Sequence, residues 1–101
     1  MSECYYNRGL VFNQLKETSK ALADFSKAIE LNPDFALAYL DRGVAYLIEF
    51  KDCNGALPDL NRAIELNPNL GKAYLARAFC YNMLGDNARA QADFAKAKIL
   101  G

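Results

Sequence analysis

Residues 39–46 read Tyr39-Leu40-Asp41-Arg42-Gly43-Val44-Ala45-Tyr46, and the same skeleton occurs twice more, as Tyr5, Arg8, Gly9 and Phe12 and as Tyr74, Arg77, Ala78 and Tyr81. The copies stand 34 and then 35 positions apart, from 5 to 39 to 74. A second set follows each of them: Ala21, Phe25 and Ala28, then Ala56, Leu60 and Ala63, then Ala90, Phe94 and Ala97, spaced 35 and then 34. Self-similarity at such a period marks an array of small supersecondary units, none able to bury its apolar face alone. Because the two sets exchange the order of their spacings, one extra residue lies between Tyr46 and Ala56.

Along residues 3–15 and 36–49 apolar residues recur at helical spacing without an internal proline. Ala21, Phe25 and Ala28 likewise share one helical face, so each unit is a pair of helices, A and B. Polar breaks separate the two, and Thr18 or Ser19, Asp52 or Asn54, and Asp86 or Asn87 are placed to cap the helix that follows. Asn32-Pro33-Asp34 and Asn67-Pro68-Asn69 end the B helices, because the residue before a proline is driven out of helical geometry. The spacing predicts helices over 2–15, 18–31, 35–49, 55–66, 69–84 and 87–100, with Pro58 near a first turn, where a missing N–H costs least. Gly9, Gly43 and Ala78 are expected where A crosses B, opposite Ala21, Ala56 and Ala90. Phe12, Tyr46 and Tyr81 from the A helices, with Phe25, Leu60 and Phe94 from the B helices, are expected to fill the spaces between.

The chain has 101 residues, 52% of them hydrophobic, which is one domain's worth of core. Twelve basic residues balance twelve acidic ones, so no long-range field draws a nucleic acid or an anionic membrane. No apolar run approaches the roughly 20 residues of a membrane-spanning helix, and there is no N-terminal signal segment. Three cysteines without paired or metal-ligand spacing argue for a reducing, cytoplasmic setting. Cys4 aligns with Ala38 and Ala73, and Cys80 with Val11 and Ala45, so both are read as buried packing residues; Cys53, in the lengthened turn, is read as exposed. With no histidine, no zinc spacing and no glycine-rich phosphate loop, catalysis, a metal and a cofactor are not expected. Arg8, Arg42 and Arg77 recur with Asp24, Asp59 and Asp93, one of each per unit, which favours structural pairs over a basic ladder for an acidic ligand.

In these residues the chain resembles the tetratricopeptide repeat family across nearly its whole length. The match runs through Tyr5, Gly9, Phe12, Ala21, Phe25, Ala28 and Pro33, then Tyr39, Gly43, Tyr46, Ala56, Leu60, Ala63 and Pro68, then Tyr74, Ala78, Tyr81, Ala90, Phe94 and Ala97. The resemblance implies an all-α, right-handed solenoid of three helix-turn-helix repeats with six antiparallel helices. The repeats would span about 2–35, 36–70 with the inserted residue, and 71–101, forming a single domain without a C-terminal capping helix.

It also implies a protein-interaction module whose A helices line a concave groove. The groove positions would be Tyr6, Asn7, Leu10, Leu37, Leu40, Asp41, Val44, Lys72, Leu75, Phe79, Asn82 and Met83, joined by Glu3, Asn13, Gln14, Leu47, Ile48 and Ala76. Helical spacing separately groups Tyr6 with Leu10, Leu40 with Val44 and Leu47, and Leu75 with Phe79 and Met83. One groove chemistry of the family is a carboxylate clamp for the acidic C-terminal tail of chaperones. Its positions here hold Tyr6, Leu10, Asp41, Lys72 and Ala76; only Lys72 fits and Asp41 would repel the tail, which argues against that partner. The apolar remainder points to a hydrophobic or amphipathic peptide. The alternatives are that these side chains merely pack between A helices, and that the segment belongs to a longer array or self-associates through uncapped ends, with Cys4 and Tyr5 at the front and Ala90, Phe94 and Ala97 at the back.

Overall fold

The computed structural model describes residues 1–100; Gly101, the last residue of the third predicted repeat, lies outside the described residues. Six helices follow one another: α1 (Ser2–Gln14), α2 (Thr18–Leu31), α3 (Ala36–Phe50), α4 (Cys53–Leu66), α5 (Gly71–Met83) and α6 (Asn87–Leu100). Each odd-numbered helix packs most extensively on the even-numbered one after it, and α2 and α4 pack in turn on α3 and α5. The product is an all-α helical-repeat solenoid, drawn out to 38 × 25 × 19 Å.

The ends of the helices follow local chemistry. α2 and α4 stop at Leu31 and Leu66, and the extended Asn32 and Asn67 turn their side-chain Oδ1 atoms to the backbone N–H groups of Asp34 and Asn69, at 3.2 and 3.1 Å. That second turn delays α5 to Gly71, later than the spacing predicts. α4 starts earlier than predicted because Asp52 Oδ1 accepts the Gly55 N–H at 2.9 Å. Asp86 caps α6 through the Arg89 N–H at 3.2 Å. The predicted cap of α2 is absent: Glu17 occupies the N-cap without a side-chain bond, and Thr18 is buried with its hydroxyl unpartnered. Pro58 is also misplaced by the sequence reading, since it lies in the second turn of α4, where the Asn54 carbonyl loses its helical donor.

The inserted residue is absorbed at the end of α3. In the first and third repeats the left-handed residue is Lys16 (φ 63°) or Gly85 (φ 85°), eleven positions after Tyr5 or Tyr74. In the second it is Lys51 (φ 51°), twelve after Tyr39. The Tyr46 carbonyl there takes the N–H groups of both Lys51 and Asp52, so the last turn widens and α3 runs on through Glu49 and Phe50.

The core is richest in the middle repeat, which has neighbours on both sides: Leu40, Leu47, Cys53, Ala56, Leu60, Ala63, Ala73, Ala76 and Cys80 form one buried cluster. The A–B crossings sit at the glycines, but not opposite Ala21 and Ala56. A Cβ on Gly9 would stand 2.7 Å from the Phe25 ring and 3.3 Å from Asp24 Cβ; one on Gly43 would stand 3.1 Å from Leu60 and 3.2 Å from Asp59 Cβ. Ala21, Ala56 and Ala90 are nevertheless fully buried, which removes Ala90 from any exposed back face.

Each Arg–Asp pair is a two-pronged fork. Nε and Nη2 of Arg8, Arg42 and Arg77 donate to Asp24, Asp59 and Asp93 over 2.7–2.9 Å, and all three carboxylates are buried. Two of the three cysteine readings are corrected. Cys80 is buried, Cys4 is exposed because no helix covers α1 on that side, and Cys53 is buried with its Sγ 3.7 Å from Met83 Sδ.

Candidate functional site

A groove of about 530 Å³ runs between α3 and α5. Val44, Leu47 and Ile48 form one wall, and Leu75, Ala76, Phe79 and Met83 the other. Helical periodicity puts each set on one stripe, and the direct packing of α3 on α5 sets the stripes face to face. Ile48, Leu75, Phe79 and Met83 are exposed, whereas Leu47 and Ala76 are buried and form the floor. Phe79 is held by an edge-to-face contact with Phe94, with ring centroids 5.4 Å apart. Lys51 and Lys72 are the charged residues at the rim. Sequence reading missed Lys51, whose place in the groove follows from the widened end of α3 and the left-handed turn.

Of the residues singled out from the sequence, Val44, Leu47, Ile48, Lys72, Leu75, Ala76, Phe79 and Met83 come together here. Leu40 does not line the groove: it is 3% exposed and belongs to the core, so it packs between repeats as the alternative reading held. Leu37, Asn82 and, on α1, Asn7 are exposed and do not line the groove. Leu10 is half-buried on α1 and lies outside the groove as well.

Tyr6 is engaged elsewhere. Its hydroxyl donates to Asp41 of α3, and its ring lies 4.9 Å from that of Phe35 and 5.9 Å from that of Phe25. Burial, and then the bond to Asp41, push the Tyr6 phenol far above the usual tyrosine range. Burial also pushes the Asp41 carboxyl up, opposed by the Tyr6 hydroxyl and the charge of Lys72. The pair fastens the first repeat to the second where the sequence reading had two free groove residues.

Among the described residues no helix is long and apolar enough to cross a membrane. The arrangement as a whole can bury an apolar ridge of a ligand between two rigid helices, with a cation on either side; that is recognition chemistry.

Two family models, both described as Tetratricopeptide repeat, match residues 2–35 and 60–92. The Arabidopsis OM64 TPR domain is 31% identical with a TM-score of 0.93, over 98% of this chain and 81% of that one. The second TPR of Spaghetti (RPAP3), solved with the HSP90 peptide SRMEEVD, is 25% identical with a TM-score of 0.95, over 99% of this chain and 86% of that one. A stretch of 44 residues is 50% identical to UDP-N-acetylglucosamine–peptide N-acetylglucosaminyltransferase of Giardia intestinalis, covering 44% of this chain but only 3% of that enzyme's length. With two repeats matched by family models and the whole chain superimposing on such domains, this protein belongs to the tetratricopeptide repeat family.

Proposed function

We propose that this chain is a peptide-binding module that takes an amphipathic segment of a protein partner into the groove between α3 and α5. The observation that carries the reading is the exposure of Ile48, Leu75, Phe79 and Met83 along one continuous groove. Contiguous apolar surface of this kind is kept in water chiefly where another chain covers it. The peptide-bound domain of similar fold supports a peptide partner in general terms. The acidic chaperone tail is a poor fit, because Tyr6, Leu10, Asp41 and Ala76 stand where a clamp needs donors and cations, and the negative charge of Asp41 opposes a carboxylate.

The test is a peptide-library selection against the chain and against a Leu75→Ser, Phe79→Ser double variant. Both positions are more than 40% exposed, so the variant is expected to melt within a few degrees of the parent. Enrichment of apolar-faced peptides by the parent alone is the expected result. Equal enrichment by both chains, or by neither, sinks the proposal.

A further inference from the structure

Between the second and third repeats three sulfur atoms meet. Cys53, the first residue of α4, lies with its Sγ 3.7 Å from the Sδ of Met83, thirty positions away at the end of α5. The Cys80 thiol, one turn before Met83 on the same face of α5, is hydrogen-bonded to Cys53. Cys53 and Cys80 are 5% and 0% exposed, whereas Met83 is 54% exposed and lines the groove. The cluster therefore consists of two buried thiols and a thioether that opens it to solvent. No spacing along the chain announces it, because its members come from two different helices.

Packing does not call for sulfur in these places. Thirty-five positions earlier, at the boundary between the first and second repeats, the corresponding residues are Thr18, Ala45 and Ile48. Thr18 and Ala45 are buried and Ile48 is exposed, the same pattern of cover as for Cys53, Cys80 and Met83. The fold thus accepts a hydroxyl, a methyl and an alkyl chain there, and only the second boundary fills all three positions with sulfur. Thiolate and thioether sulfur are soft donors, which select Cu(I) over harder ions. Three sulfurs around one ion, at metal–sulfur bonds of about 2.3 Å, stand about 4 Å apart, so Cys53 and Met83 already lie close to ligand spacing. A divalent ion is served less well. No group of three His, Cys, Asp or Glu residues is gathered among the described residues, so the third donor is a thioether, outside the set that zinc takes.

We propose that Cys53, Cys80 and Met83 form a three-coordinate Cu(I) site between α4 and α5. Binding releases the two thiol protons to solvent and forms two copper–thiolate bonds and one copper–thioether bond. Copper stays in the +1 state, so no electron is transferred, and the filled site carries one net negative charge. Cys53 stands at the positive end of α4, which offsets that charge; the nearby Asp52 carboxylate opposes it and is itself held on the Gly55 N–H. Met83, the exposed ligand, is the way in from the groove, and the buried cysteines hold the ion. The site rests on the meeting of three sulfurs and not on peptide capture, so the two proposals stand or fall separately.

The probe is Cu(I) itself, titrated without oxygen into the fully reduced chain in the presence of a chromophoric Cu(I) chelator. The chain is expected to retain one copper per molecule against the chelator, with an X-ray absorption shell of three sulfurs at about 2.3 Å. Variants that install the residues of the first boundary separate ligation from packing. Cys53→Thr and Cys80→Ala are expected to give up copper to the chelator. Met83→Ile is expected to bind about tenfold more weakly, with two sulfurs left in the shell and an unchanged melting temperature without metal. Because Met83 is exposed, that variant decides the question even if a cysteine variant fails to fold. Cys4→Ser removes the exposed thiol and is expected to change neither stoichiometry nor affinity. Surrender of all copper by the parent chain, a shell containing nitrogen or oxygen, unchanged affinity and shell in Met83→Ile, or loss of copper in Cys4→Ser overturns the proposal. Displacement of the copper by an equal concentration of Zn(II) overturns it too.

Discussion

Gly9 shows how little room the architecture leaves at a crossing. A methyl there meets the fully buried Phe25 ring at 2.7 Å, and that ring has nowhere to go. Gly9→Ala is therefore expected to cost about 1–3 kcal/mol despite the better helix propensity of alanine, read as a fall in melting temperature. Ala78 holds the same place in the third repeat, where the facing Phe94 is only half-buried and can yield. Cys80 carries a different signal. Burial, then the bond and charge of Cys53, push its thiol up to about 12 from an ordinary 9.0. A raised native value means that the unfolded chain releases its proton first. Stability from this group is therefore complete below pH 9 and is lost as pH rises toward 12. In chemical denaturation at pH 8 and 10.5, Cys80→Ala is expected to lose less stability between the two than the parent. An equal or larger loss would show that folding does not raise the Cys80 thiol above its unfolded value.

Among the helices, α4 carries a defect that the other two B helices lack. Pro58 stands where α2 has Ala23 and α6 has Ala92, on the exposed side and past the first turn. Since an interior proline costs about 3 kcal/mol by the lost hydrogen bond and the clash behind it, Pro58→Ala is expected to stabilise the chain by about 1–3 kcal/mol. Urea midpoints decide this, and a lower midpoint in the variant refutes it. The extension of α3 is the other irregularity with consequences. One inserted residue shifts the left-handed turn from the position of Lys16 and Gly85 to Lys51, and so sets a lysine at the groove rim.

Across the molecule, stability is centred on the middle repeat. Leu60 is wholly buried in the shared cluster, while its counterpart Phe94 is half-buried on the open side of α6. Leu60→Ala is expected to cost about 2–5 kcal/mol, and Phe94→Ala less, although phenylalanine is larger. Denaturant titration of the pair gives the order, and the reverse order would place the core elsewhere.

The six helices, their capping aspartates and the Arg–Asp forks were readable from residue types and spacings, because each depends on neighbours a few positions away or on a pattern present in three copies. Cys4, Cys53 and Leu40 were misread for one shared reason. Alignment gives a position its average environment, whereas its real one depends on whether another helix lies above it: nothing covers Cys4, while Leu40 and Cys53 are enclosed between repeats. The same holds for the site. Residue order was enough to show a repeat protein with apolar A helices. It took the packing of α3 on α5 to gather one groove and the Tyr6–Asp41 bond to withdraw α1 from it. Periodic local interactions are written along the chain, but burial and pairing between distant helices arise only when the whole array closes up.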